Sequence, residues 1–152
     1  MAGKKSQEIK TLLRVQGWAV DEQRRQLNTL LDREQSLIED GQRMDRQLII
    51  EQQVAAADPA YAGHAYVAYA RAHRTKRDNL NVVLVALGKE INVQREALAE
   101  AYRELKVLEE VQKNWLEAER REAARLEQID LDEIAQTLHR RKHSTDADGT
   151  IS

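Results

Sequence analysis

Residues 55 to 63 read AAADPAYAG, and this stretch is the one convincing interruption in a chain that otherwise favours helix. Asp58 stands directly before Pro59, and a proline disfavours helical geometry in the residue that precedes it. Gly63 adds a second helix-breaking residue. Pro59 itself suits an early position in a following helix, with Asp58 as its N-cap. The stretch therefore predicts a turn over residues 58–63.

The turn divides the chain into two helices of unequal length. We predict the first helix over about 5–57, the second over about 62–143, and a disordered tail at 144–152. Because the turn is short, the simplest topology is an antiparallel hairpin in which each apolar stripe covers the other. About 25 residues of the second helix, or ~40 Å, would then extend past the first. The predicted fold is a single all-α domain: an antiparallel coiled-coil hairpin of two long helices, with an overhanging C-terminal helix.

Apolar residues recur at coiled-coil spacing in both predicted helices. In the second helix the series is Leu80, Leu84, Leu87, Ile91, Leu98, Ala101, Leu105 and Leu108, broken only by Gln94. The first helix has two weaker series, which are Leu13, Val20, Leu27, Leu48 and Ala55, and Leu30, Leu37 and Met44. Their remaining positions hold Gln16, Gln23, Glu34 and Gly41. The pattern predicts a modest two-helix interface rather than a deep core.

The composition agrees with long helices and excludes several classes of protein. Charged residues make up 33% of the 152 residues and aromatic residues only 4%, which is unlike an ordinary compact domain. The net charge of -2 argues against general attraction to nucleic acid. Without cysteine there are no disulfides, thiol nucleophiles or zinc–thiolate sites, which suits a reducing cytoplasm. The strongly apolar run VVLVAL, residues 82–87, is too short to span a bilayer, so we expect a soluble chain with no membrane insertion.

The sequence contains no motif that supports nucleotide hydrolysis or acid–base catalysis. The Gly88-Lys89 pair is followed by Glu90 inside the strongest heptad run, and Val83 stands where a phosphate-binding loop needs its first glycine. Carboxylates are plentiful, but acid–base catalysis needs a pocket that pushes two pKa values apart, and a two-helix hairpin has none. We therefore predict a protein that is not an enzyme and needs no cofactor.

One histidine pair raises the question of a metal site. His139 and His143 are four residues apart and share a helical face. The three cations at residues 140–142 oppose a divalent ion, so a solvated basic helix end is the better interpretation and no metal is predicted. The DADG sequence at 146–149 has no glutamate after it to complete a calcium loop.

A cluster of basic and aromatic residues follows the turn. Its members are Tyr61, Tyr66, Tyr69, Arg71, His73, Arg74, Lys76 and Arg77. Such a mixture is typical of protein-binding hot spots, and it also suits stacking on single-stranded nucleic acid. A third interpretation is purely structural, with the tyrosines closing the hairpin end and the arginines in solvent.

The end of the predicted second helix is unusually polar. Residues 124–142 read ARLEQIDLDEIAQTLHRRK, without glycine or proline. A thin apolar stripe is expected along this region, made of Ala123, Leu126, Ile129, Ile134 and Leu138. Because most helical stability comes from packing, a solvated helix of this kind should fray unless a partner covers it. We therefore expect another molecule to surround it.

This C-terminal block resembles the FliJ family of flagellar type III export proteins. The family pattern of a glutamine, a leucine-Asp-Glu and later arginines is matched by Gln128, Leu131, Asp132, Glu133 and Arg140. A second block at 95–112, REALAEAYRELKVLEEVQ, is similar to the middle of the family's long helix. The resemblance implies a non-enzymatic stalk, similar to that of rotary ATPases, seated in the hexameric ring of the export ATPase. The matching residues are then its contact with the ring.

The resemblance also implies two further partners: the cytoplasmic part of the membrane-embedded export gate, and the flagellar secretion chaperones. Tyr66, Tyr69, Arg71 and His73 match the region implicated in gate contact. Nearby, Ala72 and Lys76 stand where bulkier apolar residues are expected. The implied location is the cytoplasm, at the inner face of the cell membrane.

Two other functions fit the residues. A generic coiled-coil adaptor or holdase chaperone would use the groove of the hairpin, which the weaker first helix permits. A nucleic-acid-binding hairpin would use the cations between Arg71 and Arg77, and its binding would fall steeply with salt.

Overall fold

The computed structural model describes residues 2–149 as two long α-helices packed against each other in a hairpin. Helix α1 spans Ala2–Ala57 and has 56 residues, whereas α2 spans Pro59–Asp148 and has 90. The side chains of Ala2, Tyr61, Ala62 and Asp148 lie outside the description. The predicted all-α hairpin is confirmed.

The turn is much shorter than the sequence predicts, because Asp58 alone separates the two helices. Its backbone N–H donates to the Val54 carbonyl oxygen at 3.4 Å, as the last hydrogen bond of α1. Pro59 then opens α2, where its missing N–H costs nothing. Gly63 lies inside α2, since a glycine costs a helix only about 1 kcal/mol relative to alanine.

The C-terminal end of α2 also differs from the predicted bounds. The helix continues past residue 143 to Asp148, so five residues assigned to the disordered tail are helical. No proline stops it there, and the Thr145 hydroxyl donates to the Arg141 carbonyl oxygen at 2.9 Å. Gly149 follows in a turn, and residues 150–152, the end of the predicted tail, lie outside the described residues. Since α2 is continuous over its described residues, the predicted overhanging C-terminal helix is not a distinct element.

The chain forms two compact units, and the larger one is Thr11–Leu105. Within it the two helices bury a narrow row of apolar side chains: Val20, Leu80, Leu87, Ile91 and Ala101. All five belong to the predicted coiled-coil series. The other unit comprises the described parts of Met1–Lys10 and Lys106–Ser152, where Ile9 is the buried apolar side chain. No described side chain is more than 98% buried, as expected for a two-helix interface.

Polar residues that interrupt the apolar series form hydrogen bonds between the helices. Gln16 Nε2 donates to the Ala101 carbonyl oxygen at 2.9 Å and to Glu104 Oε2 at 3.2 Å. Gln94 Nε2 donates to Gln23 Oε1 at 2.6 Å and to the Gln23 carbonyl oxygen at 3.0 Å. Because a slip in register would leave these amides without partners, the glutamines favour one alignment of the helices.

Gly41 lies where side chains of α2 pack close to the α1 backbone. It is buried, and the Arg77 guanidinium and a Leu80 methyl group lie directly over its Cα. An added Cβ would lie 2.9 Å from Leu80 Cδ2 and 3.0 Å from Arg77 Cζ. The absence of a side chain lets Arg77 cross α1 and reach Asp45, with Nε 3.2 Å from Oδ1.

We expect Gly41→Ala to destabilise the hairpin and Gly88→Ala to stabilise it. At Gly88 an added Cβ meets nothing within 4 Å, so alanine should add about 0.5–1 kcal/mol through its better helix propensity. At Gly41 the same gain is outweighed by displacement of Leu80, with a net loss of about 1–3 kcal/mol. Urea denaturation followed by circular dichroism measures both, and equal shifts in the two variants would contradict the packing at Gly41.

Candidate functional site

The C-terminal block lies in a part of α2 that is exposed along its whole described length. Every residue from 120 to 147 is exposed, and we call this stretch the exposed segment. Among the residues predicted to contact the ATPase ring, Gln128 Nε2 donates to Asp132 Oδ1 at 3.0 Å, one helical turn away. Leu131, in the same helical turn, is 54% exposed. These side chains are therefore available to a partner.

The five predicted ring-contact residues do not share one face of the helix. At about 100° per residue, Gln128 and Asp132 lie together, and Leu131 lies to one side of them. Glu133 and Arg140 are seven residues apart and share another face, two turns from each other. The five residues together span about 200° around the helix, so a partner that contacts all of them must cover more than one side of it.

The five apolar residues predicted to form a thin stripe along this region do not lie on one face of the helix. Ile129 and Leu138 are nine residues apart, which places them about 180° apart around the helix. Ile134 and Leu138 instead group with Leu131 on one face, and these three are 54–60% exposed. Ile134 and Leu138 line a groove together with Asp130 and Arg141, two residues that were not predicted. Their spacing of four residues from Ile134 and three from Leu138 is the signal in the sequence that could have found them.

Charged side chains of α2 pair with each other in the turns that precede residue 126. Arg121 Nη2 lies 3.7 Å from Glu117 Oε2, and Arg125 Nη2 lies 2.7 Å from Glu122 Oε1. The hydrogen bond from Arg125 lowers the pKa of the Glu122 carboxyl group and raises the pKa of the guanidinium. Between residues 126 and 145 the described structure contains no ion pair, so the charges there are open to a partner.

The predicted gate-contact residues are divided by the structure. His73 faces α1: its side chain is 14% exposed and its Nε2 lies 3.0 Å from Asp45 Oδ1. Arg71 is exposed, and Tyr66 and Tyr69 are half-buried. Three of the four side chains therefore present surface near the turn, while His73 is engaged within the hairpin.

The basic cluster is smaller than the sequence suggests. Arg77 and His73 both bind the Asp45 carboxylate, and Arg77 Nη2 donates to Asp45 Oδ2 at 3.2 Å. Only Arg71, Arg74 and Lys76 remain exposed among the five basic residues of the cluster. The side chain of Tyr61, which was predicted to belong to this cluster, lies outside the described part of the chain.

The model of the flagellar FliJ protein family matches residues 4–144, nearly the whole chain. The chain belongs to the FliJ family. No curated relative and no solved structure gives a significant match.

Membership of the FliJ family makes this chain a component of the flagellar export apparatus built as a helical hairpin. The family is a structural component and not an enzyme, which confirms the prediction from the residues. Gly88 and Lys89 accordingly lie in the interior of α2 rather than in a phosphate-binding loop.

The His139 and His143 rings meet edge to face, with centroids 4.4 Å apart. Among residues 2–149 no group of three or more histidine or carboxylate side chains is placed to hold a metal ion. Neither helix, over its described residues, has a stretch long and apolar enough to cross a membrane.

Proposed function

We propose that this FliJ family member acts as a stalk in the hexameric ring of the export ATPase. The observation that supports this function is the exposed segment, where residues all around α2 lack a covering element. Its predicted contacts, Gln128, Leu131, Asp132, Glu133 and Arg140, point in several directions. A ring contacts a helix from every side, whereas a one-sided partner would leave part of this set unused.

The energetics favour a covering partner. Leu131, Ile134 and Leu138 keep more than half of their surface in water, and full burial of such a side chain yields roughly 1.5–3 kcal/mol. The surrounding charges add little each, because exposed ion pairs are worth about 0–1 kcal/mol. Many weak contacts of this kind would let the helix shift between neighbouring positions in a ring without a large barrier.

The proposed link to the export gate rests on the surface near the turn. Tyr66, Tyr69 and Arg71 supply aromatic and cationic groups of the kind enriched at interface hot spots. His73 would act indirectly, by holding α2 against Asp45. Secretion chaperones are proposed as further partners, and the proposed location is the cytoplasm at the inner face of the cell membrane.

Mixing the purified chain with the export ATPase tests the stalk function. We expect faster ATP turnover and more hexamer, because a central helix that contacts all subunits stabilises the ring. Both are measured directly, by phosphate release and by light scattering. Absence of binding together with unchanged turnover would contradict the proposal.

A coiled-coil adaptor or holdase remains the second candidate, because the hairpin also exposes aliphatic side chains. Val82, Val85 and Val93 lie on the face of α2 away from α1 and are 62–71% exposed. Alanine at Leu131, Asp132 and Glu133 discriminates between the candidates. The stalk function predicts that this variant loses motility, whereas a holdase that uses the hairpin would keep it.

A further inference from the structure

The exposed segment carries one face on which charge and apolar surface follow a fixed order. A shallow groove there is lined by Asp130, Glu133, Ile134, Thr137, Leu138 and Arg141. Within it Asp130, Ile134, Leu138 and Arg141 succeed each other at steps of four, four and three residues, so they form one row along the helix. We call these four residues the polarised stripe. Its order is carboxylate, two aliphatic side chains, guanidinium.

Both charges of the polarised stripe are available. Neither Asp130 nor Arg141 forms an ion pair with a described residue, in contrast to Arg103, Arg121 and Arg125 earlier in α2. They cannot pair with each other either, because eleven residues of helix separate their Cα atoms by about 16 Å. Ile134 and Leu138 between them are 56% and 60% exposed.

This order of groups is complementary to itself. When a second helix lies antiparallel on the stripe, with the two-fold axis between Ile134 and Leu138, each Asp130 faces the Arg141 of the other chain. The four aliphatic side chains then meet in the middle. Such an isologous arrangement is the usual geometry of a homodimer. We propose that the polarised stripe binds a second copy of this chain in antiparallel orientation.

The charge pattern favours a second copy over an unrelated partner, because a second copy carries the guanidinium that faces each carboxylate and the carboxylate that faces each guanidinium. The interface is small, with a short row of side chains from each chain, and interfaces below about 1,200 Å² are typically weak and transient. The pairing is therefore reversible. It does not depend on the proposed ATPase contact, but a ring that encloses the helix leaves no room for a second copy, so the two interactions exclude each other.

Charge exchange between two variants tests the proposal. Sedimentation equilibrium of the full chain, from roughly 1 μM to 1 mM, should show a monomer–dimer equilibrium. Asp130→Arg and Arg141→Asp should each weaken the dimer at least about tenfold, because each places two like-charge pairs in the interface. An equimolar mixture of the two variants should recover the affinity of the parent chain, since both cross-pairs are then opposite in charge.

Asp132→Arg is the matched control, because it makes the same charge change two residues away on the other side of the helix. It should leave the dimer intact, and circular dichroism should show equal helix content in all variants. A parent chain that stays monomeric, a dimer that the two substitutions leave unchanged, or a mixture no tighter than either variant alone would each overturn the proposal. Activation of the export ATPase, measured on the same variants, reports on the stalk function separately.

Discussion

Alanine at Leu131, Ile134 and Leu138 together is expected to abolish activation of the export ATPase at concentrations that saturate the parent chain. Each side chain has a little over half of its surface left to bury, worth about 1 kcal/mol. The three together amount to about 3 kcal/mol, or a roughly hundredfold rise in the half-saturating concentration. ATP turnover, titrated with the variant, measures the shift, and swimming in soft agar reports the consequence in cells.

The control for this experiment removes exposed aliphatic side chains from the hairpin instead of from the exposed segment. Val82, Val85 and Val93 are at least as exposed, and their replacement by alanine should leave ATPase activation within about twofold of the parent. Alanine is the right substitution in both sets because it preserves helix propensity. If the valine variant loses activation of the ATPase and the variant at Leu131, Ile134 and Leu138 keeps it, the functional surface lies on the hairpin. The adaptor function then gains support.

Leu87→Asp is expected to unfold the Thr11–Leu105 hairpin at room temperature. Leu87 is 3% exposed and lies one turn from Ile91, which is equally buried. Truncation of a buried leucine costs about 2–5 kcal/mol, and a buried carboxylate without a partner adds several more. Since whole domains are stable by only about 5–15 kcal/mol, the loss should exceed what this narrow interface provides. Circular dichroism during heating measures it.

Val85→Asp provides the comparison, two residues away on the face of α2 away from α1. Val85 is 62% exposed, so the same change of chemistry should lower the melting temperature by only a few degrees. Similar melting of the two variants would mean that α2 does not use Leu87 to pack against α1.

The packed face of each helix could be read from the sequence, because coiled-coil packing depends mainly on local periodicity. Leu80, Leu87, Ile91 and Ala101 were all predicted to face α1, and all are buried. The family pattern in the C-terminal block was also visible, since it consists of residue types at fixed spacing. The role of each of those residues in contacts with the ring or the gate stays a prediction.

The helix ends were less predictable, because competing effects of similar size decide them. Gly63 disfavours helix by about 1 kcal/mol, and residues in the tail after 143 each disfavour it by a fraction of a kcal/mol to about 1 kcal/mol. In both places the helix continues, since only Pro59 combines a missing N–H with a steric restriction on its neighbour. Propensity alone does not show which of two such weak effects prevails.

By itself the sequence determined that two helices pair, that Asp58 and Pro59 separate them, and which stripe each helix buries. Tertiary structure alone decided what the polar residues in that stripe do. Gln94 binds Gln23, and Arg77 passes over Gly41 to Asp45. These partners lie 32 to 71 residues apart along the chain, so no local pattern connects them. Only the alignment of the two helices brings their hydrogen-bonding groups within reach.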